Sequence, residues 1–388
     1  YFDVNDLDDA ALAPVTRDLA RFLASLFLAG PELGTDRGTV TILAEAFLAA
    51  YRAALLDGRA RWIERSTAHG LVKQLLRSVR DRARSELLRK RTVRVQGRRQ
   101  IRVDDGPALP ADDDAVDSVS ECLARLPTDD AHPRYYEVMD AARRVAGTGS
   151  LGVPRYAVLV RGTGDGVRLG GAVLLDLKEA RPAPLAAIAA QPPWKTEADR
   201  VVAVQRRVQA AAPAGLRAVH VGRRSFVLRE LQPMEDRLTL ARAGGRVKPL
   251  RGAIATMAHL IAWSHLRSGG RQGSAIADQW IAFAERGVMT TDLLAYARQV
   301  ATRTRKLMVQ FKAGRASVYR SKAAHFLVKS AKSRSSAGGP DPQRPWRRRD
   351  HVRRSELRGT ETTRQCAVVG SSRRDPRGAR QPASGICR

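Results

Sequence analysis

Four carboxylates fall within the first nine residues: Asp3, Asp6, Asp8 and Asp9. Clustered carboxylates are what a hard cation such as Mg²⁺ takes through oxygen. The same residues also suit a polar strand-to-helix loop with capping acids, and Asp18 falls in that second class because it stands at a helix start. A second group is the run Gly147-Thr148-Gly149-Ser150-Leu151-Gly152. A dinucleotide fold needs a strand, the glycines and then a helix. Here Pro154 and the β-type run 156–160 follow instead. Glycines between two strands fit a loop that covers phosphates, because backbone N–H groups can then approach phosphate oxygens with no side chain between. An ordinary glycine-rich hairpin would read the same. The third group is a single residue, Lys178, at the end of the strand LLDLKEA. Its ammonium can grip phosphates as a flexible point charge, or simply meet solvent.

The remaining reactive residues form no recognisable constellation. His259 and His265 share a helix but lie six apart, and no His, Cys or carboxylate group has metal-ligand spacing. No nucleophile elbow of the GxSxG type occurs. The run 80–94 is strongly basic but carries no interleaved aromatics, which fits a solvated helix better than a base-stacking surface.

The elements that must position these groups can be placed from periodicity. Residues 1–6 read as a short strand. Helical spacing follows over 18–28, 40–56 and 62–88. The stretch 91–103 alternates around Gln96-Gly97 and predicts a hairpin. Residues 115–126 and 134–142 read as helices. Residues 145–180 are strand-rich, 197–211 helical, and 218–222 with 225–231 a strand pair. Helices are expected over 251–266, 274–286, 291–311 and 316–332. Beyond about 333, Ser, Gly, Pro and Arg dominate and apolar periodicity ends, so residues 331–388 are expected to be a disordered basic tail.

Composition sets the outer bounds. The 388 residues carry a net charge of +29, with 44% hydrophobic but only 5% aromatic residues, so Leu, Val and Ala must build the core. A basic surplus suits polyanions, nucleic acid among them, and equally a solvated Arg-rich surface. Cys122, Cys366 and Cys387 match neither a zinc site nor a disulfide framework, which makes a cytoplasmic setting the default. No apolar run is expected to span a bilayer, and no membrane partner is expected.

Eight stretches together suggest a family: FDVNDLDDA with RDLARFLAS, RDRARSELLRKRT, GTGSLGVPRYAVLV, LLDLKEARP, RVVAVQRRVQAA, FVLRELQPMEDR and HLRSGGRQGSAIAD. In these the chain resembles the bacterial family known as domain of unknown function 2252, over roughly residues 1–329. The family's motifs are similar to those of aminoglycoside phosphotransferases and other kinase-like enzymes. The resemblance implies that Gly147, Gly149, Gly152 and Lys178 bind nucleotide, that Asp6 and Asp8 bind Mg²⁺, and that Asp6 with Asp18 form the aspartate pair around a strand end. FVLRELQP would lie where a kinase-like fold joins its lobes and reads an adenine through backbone hydrogen bonds. Family members carry a Gly-Asp-x-His-x-x-Asn loop before the aspartate strand, which is absent here, so the chain is expected to be truncated at its N-terminus and inactive as a fragment. A glutamate expected near position 203 is Ala203 here, with Glu197 the nearest substitute.

The expectation is therefore an α+β protein, with a small antiparallel sheet over 145–235 packed on a mostly helical body and a kinase-like element order that is permuted. Domain 1–330 would bind ATP and Mg²⁺ and act on a small-molecule acceptor. The rival expectation is a non-enzymatic basic protein that binds nucleic acid.

Overall fold

The computed structural model describes residues 1–80, 84–103, 108–145, 152–163, 171–233, 236–287, 290–335 and 368–370, with side chains described as far as residue 314. In chain order its elements are β1 (Phe2–Val4), α1 (Thr16–Ala29), α2 (Arg37–Leu56), α3 (Gly70–Arg80), α4 (Arg84–Arg91), β2 (Thr92–Val95), β3 (Arg98–Ile101), β4 (Ala108–Pro110), α5 (Asp113–Ala124), β5 (Val138–Arg144), β6 (Arg155–Val160) and β7 (Val173–Glu179). They continue with α6 (Glu197–Val208), β8 (Arg217–Val221), β9 (Arg224–Glu230), α7 (Val247–Ser268), α8 (Ala277–Glu285), α9 (Thr290–Ser335) and β10 (Val368–Gly370). The class is α+β.

The helical body is built on α2 and α7. In α2 the residues Val40, Leu43, Ala44, Phe47, Leu48, Tyr51, Ala54 and Leu55 recur at intervals of three and four and are all buried. Asp36 starts the helix by accepting from the Thr39 N–H at 2.7 Å. Phe22 of α1 stacks on Phe47 with ring centroids 4.0 Å apart. By length and composition α2 could cross a membrane, contrary to the sequence expectation. Its apolar face packs along α7 instead, as a core helix does.

The sheet has six antiparallel strands in the order β4-β5-β6-β7-β9-β8. It begins earlier than residue 145, because β4 and β5 precede that point. The expected helix over 134–142 is therefore wrong: residues 138–144 form a strand. VMDAARR is rich in helix formers, but strand pairing on both sides overrides that weak local preference. Ala141 and Ala142 are buried on opposite faces, and small side chains suit a strand covered twice. One face packs on α5 through Val119, Val158, Leu175 and Phe226. The other meets Leu88 of α4 and Ile101 of β3.

Three further departures are local. Residues 62–88 are two helices after an extended start, in which the Phe2 N–H donates to the Ile63 carbonyl at 2.9 Å. The two helices expected over 291–332 are one, α9, which runs to Ser335. β10 pairs antiparallel with β1, so residues 368–370 are strand rather than disordered tail, while the rest of 336–388 lies outside the described residues. The hairpin at Gln96-Gly97 forms as expected, with φ of 48° and 79° at the two turn residues.

One glycine is fixed by space as well as by φ. Gly162, at the exit of β6, has φ of 65°, and a Cβ there would stand 2.1 Å from the Gly171 carbonyl oxygen. Gly222, in the β8–β9 turn, has φ of 58° and open space around it. Gly222→Ala should cost about 1–2 kcal/mol for the left-handed backbone alone. Gly162→Ala should cost clearly more in urea unfolding; equal losses would contradict the steric argument.

Candidate functional site

Strand alternation decides which side chains meet. In β7, Leu174, Asp176 and Lys178 share one face, while Val173, Leu175 and Leu177 fill the other. Arg155 stands opposite Lys178 on β6, and Arg229 stands opposite Asp176 on β9. Asp176 is almost wholly buried, so its charge needs partners in place. Arg155 supplies a two-pronged bond, Nε to Oδ1 at 2.7 Å and Nη2 to Oδ2 at 2.6 Å. Arg144 adds Nη1 to Oδ1 at 2.8 Å, and Arg229 Nε lies 3.6 Å from Oδ2. Burial alone would raise the Asp176 carboxyl. The bonds from Arg155 and the charges of Arg155, Arg144 and Arg229 outweigh it and hold the group far below the usual carboxylate range.

The opening segment is tied across this face by α6 and the residues after it. Arg200, buried on α6, donates to the Asp8 carbonyl at 2.8 Å, to the Arg181 carbonyl at 2.9 Å, to the Ala10 carbonyl, and to Glu197 Oε2 at 2.6 Å. Gln209 Nε2 donates to the Val4 carbonyl at 2.6 Å. Asp3 is buried and accepts the backbone N–H groups of Val4 and Ala210, so it anchors the strand rather than serving as a ligand. Asn5 accepts from Arg229 Nη1 at 3.2 Å.

This docking forms a small cleft, with a cavity volume of about 10 Å³, lined by Asp6, Asp8, Lys178, Gln205 and Arg229, with Leu7, Val201 and Val227 at its apolar side. Lys178 Nζ donates to Asp8 Oδ2. Asp6, with φ of 65°, turns the chain so that its carboxyl meets that of Asp8. Burial, then the hydrogen bond and charge of Asp8, raise the Asp6 carboxyl. Burial works the same way on Asp8, but the Lys178 ammonium outweighs it and holds Asp8 low. Arg237 lies close enough to Asp6 to feel its charge. Lys178, Arg144, Arg155, Arg229 and Arg237 thus surround Asp6, Asp8 and Asp176, which leaves the site net positive. Such a site can hold an anion, and its two adjoining carboxylates can share a cation.

The expected residues divide as follows. Asp6, Asp8 and Lys178 come together although 170 positions separate the last two. Gly147 and Gly149 lie outside the described residues. Gly152 has φ of 82°, and the strands that flank the loop, β5 ending at Arg144 and β6 beginning at Arg155, bring both loop ends to the Lys178 end of the sheet. Asp18 is not in the cleft: it sits in the first turn of α1, with His265 Nε2 at 3.4 Å. His265 also meets the Tyr51 hydroxyl at 2.9 Å. Glu197 bonds Arg200 and is no partner for Lys178. Residues 226–230 of FVLRELQP lie in the inner strand β9, with 226–228 paired on both sides, and this part offers the cleft the side chains of Val227 and Arg229. In the basic run, Lys90 pairs with Glu86 at 3.0 Å one turn away on α4, whereas Arg84 reaches Glu230 of β9 at 2.9 Å and residues 92–94 belong to β2. Among the described residues no group of three or more His, Cys, Asp or Glu could hold a metal.

Sequence reasoning missed Asp176, Arg155, Arg229, Arg200 and Gln205. A signal existed for the first: an aspartate inside the apolar run VLLDL has no place in a buried strand unless cations meet it.

A family model described as an uncharacterized protein conserved in bacteria (DUF2252) matches residues 1–314, which includes every residue of the cleft. No curated protein and no solved structure matches the chain.

Two substitutions test the architecture of the site. Asp176→Ala strands three guanidinium groups and should cost about 3–5 kcal/mol in urea unfolding. Because the folded Asp176 group is depressed, its stabilisation is present above the unfolded carboxylate range and is lost only as pH falls through the lower folded value, so the loss should be constant between about pH 5 and 8. Arg200→Met should speed amide exchange across residues 5–12 more than elsewhere; a uniform increase would remove Arg200 from its role as the tie.

Proposed function

The chain belongs to the uncharacterised bacterial family DUF2252, and we propose that its cleft binds a nucleoside triphosphate together with Mg²⁺, as the donor site of phosphoryl transfer to a small molecule. One observation carries this reading. Lys178, Asp6 and Asp8 meet in one cleft, although 170 positions separate Asp8 from Lys178.

The donor set fits both partners. Mg²⁺ needs only one or two carboxylates when phosphates and water complete its shell, and it does not require a cage made wholly by protein. Asp6 and Asp8 supply two adjoining carboxyls, and the raised Asp6 group marks a pair that a cation would relieve. Lys178 and Arg229 supply positive charge for phosphate oxygens, with Arg155 and Arg144 behind them. The segment 145–154 joins the strands at this end of the sheet, where a glycine-rich loop could cover phosphates. Phosphoryl transfer asks a protein mainly for position and charge neutralisation, which these residues offer. No Gly-Asp-x-His-x-x-Asn stretch occurs in the 388 residues, so we assign no general base, and the direct test is binding.

Isothermal titration with ATP should show binding that needs Mg²⁺. Lys178→Met and Asp6→Asn should each weaken it at least about tenfold, the scale of one charge-assisted contact, with unfolding midpoints read alongside. A wild-type chain that ignores millimolar MgATP, or a folded Lys178→Met protein with unchanged affinity, would overturn the proposal.

A further inference from the structure

Gln205 is a buried polar residue of the cleft that the kinase-like resemblance does not explain. It lies on α6, one turn beyond Val201, so both side chains point at the same strands. It is 1% exposed, deeper than any other residue lining the cleft. Its amide Nε2 has no hydrogen-bond partner. A buried amide donor left unmade costs about 1–3 kcal/mol, and leucine or methionine would fill the position without that cost. It lines the cleft together with Asp6, Asp8, Lys178 and Arg229, and with the apolar Leu7, Val201 and Val227. Asp8 is already engaged by Lys178, and Arg229 by Asn5 and Asp176.

We propose that Gln205 is a ligand-contacting residue whose amide Nε2 donates to a phosphate oxygen and, with Lys178 and Arg229, forms the anion cradle of the cleft. This deepens the nucleotide-site reading and rests on it. The chemistry selects the ligand group. A donor without charge, in a cleft that also holds cations and two carboxylates, adds a directed bond to an oxyanion and leaves the net charge unchanged. A glutamate there would repel phosphate and compete with Asp6 and Asp8 for the cation. The neutral amide thereby favours a phosphate chain over a bare metal ion. It also differs from the glutamate that kinase-like helices aim at their lysine. Here Asp8 neutralises Lys178 from the opening segment, which frees the α6 position for a ligand contact.

The test compares the wild type with Gln205→Met and Gln205→Glu, each titrated with MgATP and, separately, with inorganic tripolyphosphate. Gln205→Met should bind both ligands about ten- to a hundredfold more weakly, while its unfolding midpoint holds or rises, because an unmade donor has been removed. A purely structural amide would give the reverse: a lower midpoint with unchanged affinity. Gln205→Glu should lose both ligands and gain affinity for Mn²⁺ alone. If wild type binds MgATP and Gln205→Met binds it equally well, this inference fails and the nucleotide reading stands. If wild type ignores MgATP but binds tripolyphosphate in a Gln205-dependent way, the nucleotide reading fails and the phosphate contact stands. If wild type binds neither, both fail.

Discussion

A carboxylate buried within a β-sheet must be neutralised where it stands, and Asp176 is the group on which this arrangement depends. Its partners are three arginines from three other strands, Arg144, Arg155 and Arg229. Each reaches it only if its strand holds the observed register, since a slip of one residue would turn the guanidinium to the opposite face. The cluster therefore reports the alignment of β5, β6, β7 and β9 together. Replacing such a network with apolar residues is often neutral or stabilising, so net stability does not account for keeping it. What it does provide is a fixed excess of positive charge at one end of the sheet, two residues from Lys178 on the same face.

That excess explains how the opening segment docks. Asp6 and Asp8 approach a surface that is already cationic, and their mutual repulsion is offset there by Lys178 and Arg229. Charge alone would allow many poses. The backbone clamp of Arg200 on the carbonyls of Asp8 and Ala10, with Gln209 on Val4, selects one. Arg200 suits this work because its guanidinium spreads several donors in a fixed plane, whereas a lysine would present a point charge. The clamp arises from α6, whose next turn carries Gln205. One helix thus ties down the segment that carries the carboxylates and lines the cleft with Gln205.

Much of this was legible from the sequence, for identifiable reasons. The α2 and α7 helices show through their apolar spacing, and the 92–101 hairpin through Gln96-Gly97, because burial and turn chemistry are local signals. Asp6, Asp8 and Lys178 stood out as charged residues at strand ends. The pairing of Lys178 with Asp8 rather than with a helix carboxylate was hidden, because it spans 170 positions and depends on how α6 lies. β5 was misread for a related reason. Its alanines and arginines favour helix locally, and only the strands on either side make it a strand. Arg200 gave no signal, since its partners are backbone carbonyls, which carry no residue identity.

The contact between Lys178 and Asp8 also bears on how the proposed site would work. With no ligand bound, the ammonium and the carboxylate satisfy each other, and neither is available at full strength. A divalent cation that takes Asp8 and Asp6 would release Lys178 toward a phosphate oxygen. A phosphate that takes Lys178 would leave Asp8 needing a cation. Either ligand alone must break the pair, while the two together replace both halves of it. Coupling of this kind is reciprocal by linkage. In the proposed reading, then, the requirement for Mg²⁺ follows from the resting ion pair itself and needs no separate conformational switch.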